Sequence, residues 1–268
     1  MTARRRMMRV YDRAMVGGDP RRYYEDSGFF NVGYWRRQTT SQREASEALV
    51  DQLVARIAEK EGRILDVACG LGASTRRLMR IYAPDRITAI NISQAQIAEA
   101  RERAPGCTFH VMDAAKLNFL DDQFDSLVCI EAAFHFDTRD DFLREACRVL
   151  KPGGSLVLSD ILFRRVPDKL AELRPVPRAN LVRDIAQYRE RLAAAGFTRI
   201  DVQDATRACL GGFRRHLARW PASERRAGRM TLGRSIGASL VCWLLAGYFG
   251  LVCKSYLLVS AQKAHGPG

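Results

Sequence analysis

Asp66-Val67-Ala68-Cys69-Gly70-Leu71-Gly72 is the stretch whose residue types and spacing could build a ligand site. It follows the apolar pair Ile64-Leu65 and precedes Ala73-Ser74-Thr75, so it reads as strand, tight turn and helix start. That arrangement opens a nucleotide-sized crevice in an α/β sheet. Gly70 and Gly72 let backbone approach a ligand closely, and the N–H groups of the following helix favour a carboxylate or phosphate. Two other residues could handle protons. His135, one of four histidines, stands in Glu131-Ala132-Ala133-Phe134-His135-Phe136, and Asp160 ends the apolar run Leu156-Val157-Leu158. Histidine titrates near neutral pH, so His135 could serve as a general base toward a hydroxyl.

The elements that position these groups alternate in type from residue 63 onward. Strands are expected at 64–67, 86–92, 107–112, 124–130 and 155–159, with helices at 74–82 and 94–103 and a third ending at Leu150. Ser93 three residues before Gln96, and Thr138 three before Asp141, mark two helix starts, and Lys151-Pro152-Gly153-Gly154 is expected to stop the third helix. Further strands are expected at 197–202 and 255–261, with a helix at 184–195. Strict alternation implies right-handed crossovers, so the fold class is α/β: a doubly wound, seven-stranded Rossmann-like sheet. Three regions follow: an N-terminal helical lid (1–50), a ligand-binding core (51–160), and a remainder (161–268) with helical insertions after strands five and six. Pro167, Pro175 and Pro177 loosen the pattern in the first insertion.

With 268 residues, 47% of them hydrophobic, the chain can bury a real core. Seven cysteines without a CxxC or Cys/His cluster suggest neither a metal site nor a disulfide framework, which fits a reducing, cytoplasmic location. Arg4, Arg5 and Arg6 are followed by no apolar stretch, so a secretory signal is not expected. The net charge of +13 is unevenly distributed. Residues 51–160 carry 14 Lys and Arg against 17 Asp and Glu, or −3, whereas residues 204–254 carry 9 against 2, or +7. A basic rim suits an acidic small molecule or an anionic membrane surface. Residues 236–253 carry no charge and brush the lower length limit for a membrane span; a buried helix running into the last strand is the expectation.

Three ligand classes could sit over the glycine turn. A P-loop needs Lys-Ser or Lys-Thr after its second glycine, and none occurs here. A dinucleotide fingerprint wants three glycines, and the matching register starts with Ala68. The third class rests on a resemblance. Asp66-x-Ala68-x-Gly70-x-Gly72 resembles motif I of class I S-adenosylmethionine-dependent methyltransferases, and Leu150 to Gly154 resembles the turn before their fifth strand. Asn31-Val32-Gly33-Tyr34-Trp35 is similar to a lid motif of the secondary-metabolite O-methyltransferases, the group acting on macrolide and indolocarbazole sugars, and Ser93-x-x-Gln96 to its second-helix motif. The resemblance implies that Asp66, Gly70 and Gly72 hold the methionine end of S-adenosylmethionine, with Ala68 and Cys69 of the same turn also expected in the cofactor-binding set. It places Asn91, Ile92 and Gln96 at the ribose, Asp113 and Ala114 at the adenine, and Glu131 along the cleft. Two departures stand out: alanine replaces the first glycine, and Asn91 stands where many members have an acid.

Members of that group carry a histidine and an aspartate at the positions of His135 and Asp160, which makes His135 the expected base and Asp160 the group that orients it or the acceptor. Methyl transfer is an in-line displacement, so positioning in a dry cleft should supply most of the rate. Tyr34, Trp35, Phe134 and Phe163 are expected to line the acceptor, which would be bulky, partly apolar and acidic or lipid-like. A homo-oligomer and a peripheral membrane contact are compatible with this reading. A nucleic-acid substrate is not expected, because the strand-four motif lacks the Asn/Asp-Pro-Pro-aromatic signature of amino-group DNA methylases. The rivals are C- or N-methylation and a cofactor-binding protein that does not methylate, such as a cyclase.

Overall fold

The computed structural model describes residues 12–13, 15–16, 20–165 and 176–265. Arg4 to Arg6, Pro167 and Pro175 lie outside the described residues. Seven strands form one sheet: β1 (Ile64–Val67), β2 (Ile87–Asn91), β3 (Thr108–Val111), β4 (Phe124–Ile130), β5 (Leu150–Phe163), β6 (Phe197–Asp204) and β7 (Cys253–Lys263). Their order is β3-β2-β1-β4-β5-β7-β6, with β7 antiparallel to both neighbours and the rest parallel. The doubly wound, seven-stranded expectation therefore holds.

Strand side chains alternate between two faces, and each face has its own core. Ile64, Val128, Val157, Tyr256 and Leu258 pack on one side; Leu65, Leu127, Leu158, Leu257 and Val259 pack on the other. Helices α1 (Gln42–Val54), α2 (Ala73–Leu78) and α3 (Gln94–Arg103) precede β3, and α4 (Arg139–Val149) and α5 (Ile185–Ala194) follow β4 and β5. Both predicted caps form. Ser93 Oγ accepts from Gln96 N, and Thr138 and Asp141 make a reciprocal capping box. The boundary expected at residue 50 falls inside α1, whose Leu49, Leu53 and Val54 sit in the same core as β1.

Two expectations are corrected. Lys151 to Gly154 does not separate a helix from a later strand. β5 begins at Leu150, directly after α4, and the register slips from Phe124↔Leu150 to Ser126↔Ser155, so these residues form an irregular start to the strand, with Gly153 at φ +75. The second concerns the insertion before β7, a hairpin of α6 (Gly212–Arg226) and α7 (Leu232–Val252). α7 does run into the last strand, but it is largely exposed rather than buried.

Candidate cofactor site

The C-terminal ends of β1 to β4 meet at a cleft of about 600 Å³, within the roughly 300–1,000 Å³ range of small-molecule sites. Of the residues expected to hold the cofactor, Ala68, Cys69, Gly70, Asn91, Ile92, Gln96, Asp113, Ala114 and Glu131 line it. The turn after β1 is built from left-handed backbone at Ala68 (φ +60), Gly70 (φ +56) and Gly72 (φ +82). Its two glycines have different purposes. A Cβ on Gly70 would meet only Met15 Cε, at 3.2 Å, so this residue leaves the turn open beneath Met15. A Cβ on Gly72 would lie 2.8 Å from Ala100 Cα, so Gly72 lets α2 start against α3 and is not part of the cleft wall.

Ala68 holds a conformation that costs a non-glycine residue about 1–2 kcal/mol. Ala68→Gly should relieve that strain and lose about 0.5–1 kcal/mol to extra freedom in the unfolded chain. A net gain of up to about 1.5 kcal/mol is expected, read as a higher unfolding midpoint. A lowered midpoint would show that the turn is not strained.

Asp66 does not reach the cleft. It is buried, and its Oδ2 accepts from Ser74 Oγ at 2.8 Å and Thr75 Oγ1 at 2.7 Å, which ties β1 to the start of α2. Burial pushes its carboxyl up to about 6. At the tip of β2, Asn91 Nδ2 donates to Gln96 Oε1 at 3.0 Å and its Oδ1 accepts from Ser93 N. Above them, Asp12 Oδ1 accepts from Ser93 Oγ at 2.7 Å and from Gln96 Nε2 at 2.8 Å. Asp113 accepts from Ala115 N at 3.0 Å, a local turn that presents this residue at the cleft edge.

β4 ends as β1 does, on a left-handed non-glycine residue: Glu131, φ +51. Its Oε1 accepts from Val32 N at 2.8 Å and Tyr256 Oη at 2.6 Å, so it clamps the N-terminal segment to β7 while lining the cleft. Burial pushes this carboxyl up to about 7. His135 follows on a short helical turn, also in the cleft, with its ring 4.2 Å from that of Phe134. Burial, then the positive charge of Arg139, pushes its pKa down to about 4, so the imidazole is neutral at pH 7.

Asp160 does not pair with His135. Along β5 it shares its face with Leu156, Leu158 and Leu162, the side covered by α4 and α5. There it is fully buried; Oδ2 accepts from Arg139 Nε and from Tyr188 Oη, each at 2.8 Å, and Oδ1 from Ile161 N at 2.8 Å. The expected pairing with His135 is thus corrected: the carboxylate already has an ion-pair partner, and it does not line the cleft.

The expected acceptor wall is corrected as well. Trp35 lies against His216 with ring centroids 4.6 Å apart in a tilted arrangement and abuts Gly212 of α6, and the half-buried Tyr34 packs against the core. Phe134 and Phe163 are buried against one another at 5.3 Å. The aromatic side chains that do line the cleft are Phe29, Phe30 and Phe136, joined by Val176. Sequence reasoning also missed Arg139, Asn180 and Tyr188. Asn180 Nδ2 donates to the carbonyls of Phe134 (3.0 Å) and Phe136 (2.6 Å), bracketing His135, while Asn180 accepts from the Arg139 backbone N and from its Nη1. One signal was available: an arginine in the first turn of a helix opposes the macrodipole, so it needs a reason to be there.

Residues 65–158 match the family model described as a methyltransferase domain. The chain is 31% identical over 198 residues to erythromycin 3''-O-methyltransferase of Saccharopolyspora erythraea, covering 66% of this chain and 64% of that one. It is also 31% identical over 186 residues to 27-O-demethylrifamycin SV methyltransferase of Amycolatopsis mediterranei, covering 65% and 68%.

The chain belongs to the class I S-adenosylmethionine-dependent small-molecule methyltransferases.

It spans a little under two thirds of the first relative's length. The crystal structure of the [4+2]-cyclase SpnF superposes with a TM-score of 0.68 at 27% identity, covering 96% of this chain and 92% of that one. The cleft fits the family's cofactor, S-adenosylmethionine. Gly70 leaves open backbone at one end, Asn91 and Gln96 offer hydrogen-bonding groups at the tip of β2, and Asp113 offers a carboxylate at the tip of β3.

Proposed function

We propose that this protein transfers a methyl group from S-adenosylmethionine to a hydroxyl of a bulky, partly apolar small molecule. The observation that carries the reading is that His135 and the glycine turn at Ala68 to Gly70 line one cleft together with Phe29, Phe30, Phe136 and Val176. Bound there, the cofactor supplies an electrophilic methyl group on a sulfonium. The chain's own residues then have three tasks. The apolar side chains of Phe29, Phe30, Phe136 and Val176 exclude water, the polar tips of β2 and β3 fix the nucleoside, and His135 accepts the hydroxyl proton in its neutral form. Asp160 acts at one remove: it holds Arg139, Arg139 holds Asn180, and Asn180 fixes the backbone on either side of His135.

Asp12 has a place in this reading because β2 ends in Asn91 rather than an acid. It brings a carboxylate to Ser93 and Gln96, both at the cleft, and pins the N-terminal segment there. Asp12→Ala is expected to weaken binding of S-adenosylhomocysteine about 5- to 10-fold by calorimetry, the size of one or two net hydrogen bonds. Unchanged affinity would remove Asp12 from the cofactor site.

The likeness to a cyclase favours a second reading, in which the cofactor is bound but its methyl is not transferred. Incubation of the protein with methyl-labelled S-adenosylmethionine and hydroxylated polyketide or glycoside acceptors, followed by mass spectrometry, separates the two. A labelled ether supports methyl transfer to oxygen. Label on carbon or nitrogen overturns the oxygen assignment, and acceptor turnover without label supports the cyclase class.

A further inference from the structure

We infer that the face of α7 is a membrane-docking surface that lays the protein on an anionic lipid bilayer. Ile236, Leu240, Trp243, Leu244 and Leu251 are each more than half exposed, Trp243 at 67% and Leu251 at 73%. Their spacing places them along one side of the helix, opposite Cys242 and Ala246, which are buried. A soluble monomer rarely shows so continuous an apolar stripe without something to cover it.

The charge around the stripe identifies the cover. Between Gly212 and Val252 stand seven arginines, Arg214, Arg215, Arg219, Arg225, Arg226, Arg229 and Arg234, all exposed. The single carboxylate in that span, Glu224, is buried and neutralised by Arg22 and Arg229. An apolar stripe on a hairpin whose exposed charges are arginines is what an interfacial segment needs to sink its side chains to the acyl boundary while guanidinium groups not already engaged, such as those of Arg225 and Arg226, meet lipid phosphates. A second copy of the chain fits less well, because a two-fold contact would gather both sets of arginines around one seam.

α7 is long and apolar enough to cross a membrane, but it is fastened along its length. Ser235 Oγ donates to Pro221 O at 3.1 Å, Arg214 Nε to Ala246 O at 2.6 Å, and Arg164 N to Val252 O at 2.8 Å, where the chain enters β7, a strand paired on both sides by β5 and β6. A helix held at both ends and its middle by one globular body lies on the bilayer rather than through it. About 31 Å of helix is therefore offered to the surface.

The test is sedimentation of the full chain with vesicles of phosphatidylcholine alone and of three parts phosphatidylcholine to one part phosphatidylglycerol. Binding to the mixed vesicles with a blue shift of tryptophan emission is expected, and little binding to the neutral ones. Leu240→Glu with Leu244→Glu, and separately Arg225→Gln with Arg226→Gln, should each weaken binding about tenfold or more, with circular dichroism and S-adenosylhomocysteine affinity unchanged. Equal binding to both vesicle types, or no effect of either pair, overturns the proposal. So does a dimer, seen by sedimentation equilibrium, that dissociates in Leu240→Glu and binds no vesicles, since a second copy would then cover α7.

Discussion

Arg139→Met is expected to destabilise the protein by about 3–5 kcal/mol, the cost of leaving a buried carboxylate without its cation. Arg139 is 1% exposed and Asp160 0%. The guanidinium donates to Asp160 at 2.8 Å and lies over the Tyr188 ring, with its carbon 5.6 Å from the centroid, so one substitution removes the ion pair and that ring contact. It also removes the donor to Asn180 O. Urea unfolding of the purified variant measures the loss. Adding Asp160→Asn should recover much of it, because a neutral amide no longer needs a counterion, though the tie to Asn180 stays broken. In the double variant kcat should remain depressed while cofactor affinity holds, since His135 then sits on a loosened turn. A single variant within about 0.5 kcal/mol of the parent would show that the pair carries no stability.

His135→Ala is expected to lower kcat by about 10²- to 10⁴-fold, the usual value of a positioned general base, with S-adenosylhomocysteine affinity unchanged. Full activity in this variant would end the base assignment. The pH dependence adds a second readout. Burial and the Arg139 charge hold the imidazole pKa at about 4, so the neutral, proton-accepting form is fully populated from about pH 6 upward. The rate should therefore show no step near the ordinary histidine value of about 6.5. An ascending limb centred there would mean that His135 is solvated during turnover. The same depression has a stability consequence. Between about pH 6.5 and pH 4 the unfolded chain binds the proton that the folded histidine refuses, so stability falls as pH falls through that window, and His135→Ala should flatten the fall.

The cofactor turn was legible because its information is local. An apolar strand, left-handed turn positions and a capped helix each follow from residues within a few places of one another, and Gly70 and Gly72 stand where φ is positive. The capping pairs at Ser93 and Thr138 were legible for the same reason. The departure at Ala68 was visible, but that it adopts the glycine conformation at φ +60 was not. Asp66 shows how a correct motif can assign a role too directly: its carboxylate serves the turn, through Ser74 and Thr75, and the turn shapes the cleft.

By itself the sequence determined the strand–helix alternation, the doubly wound sheet and the place of the crevice, since those follow from periodicity and backbone sterics over short stretches; the class of ligand came from the motif's resemblance to a family. Tertiary structure alone decided which side chains enter the crevice. The pleat of β5 turns Asp160 toward α4 and α5, where Arg139 and Tyr188 meet it, and the packing of α6 holds Trp35 against Gly212, outside the cleft lining. It also decided the fate of α7. Hydropathy records that a helix is apolar, but what covers it depends on which elements pack there, and one side of α7 is left to the solvent boundary.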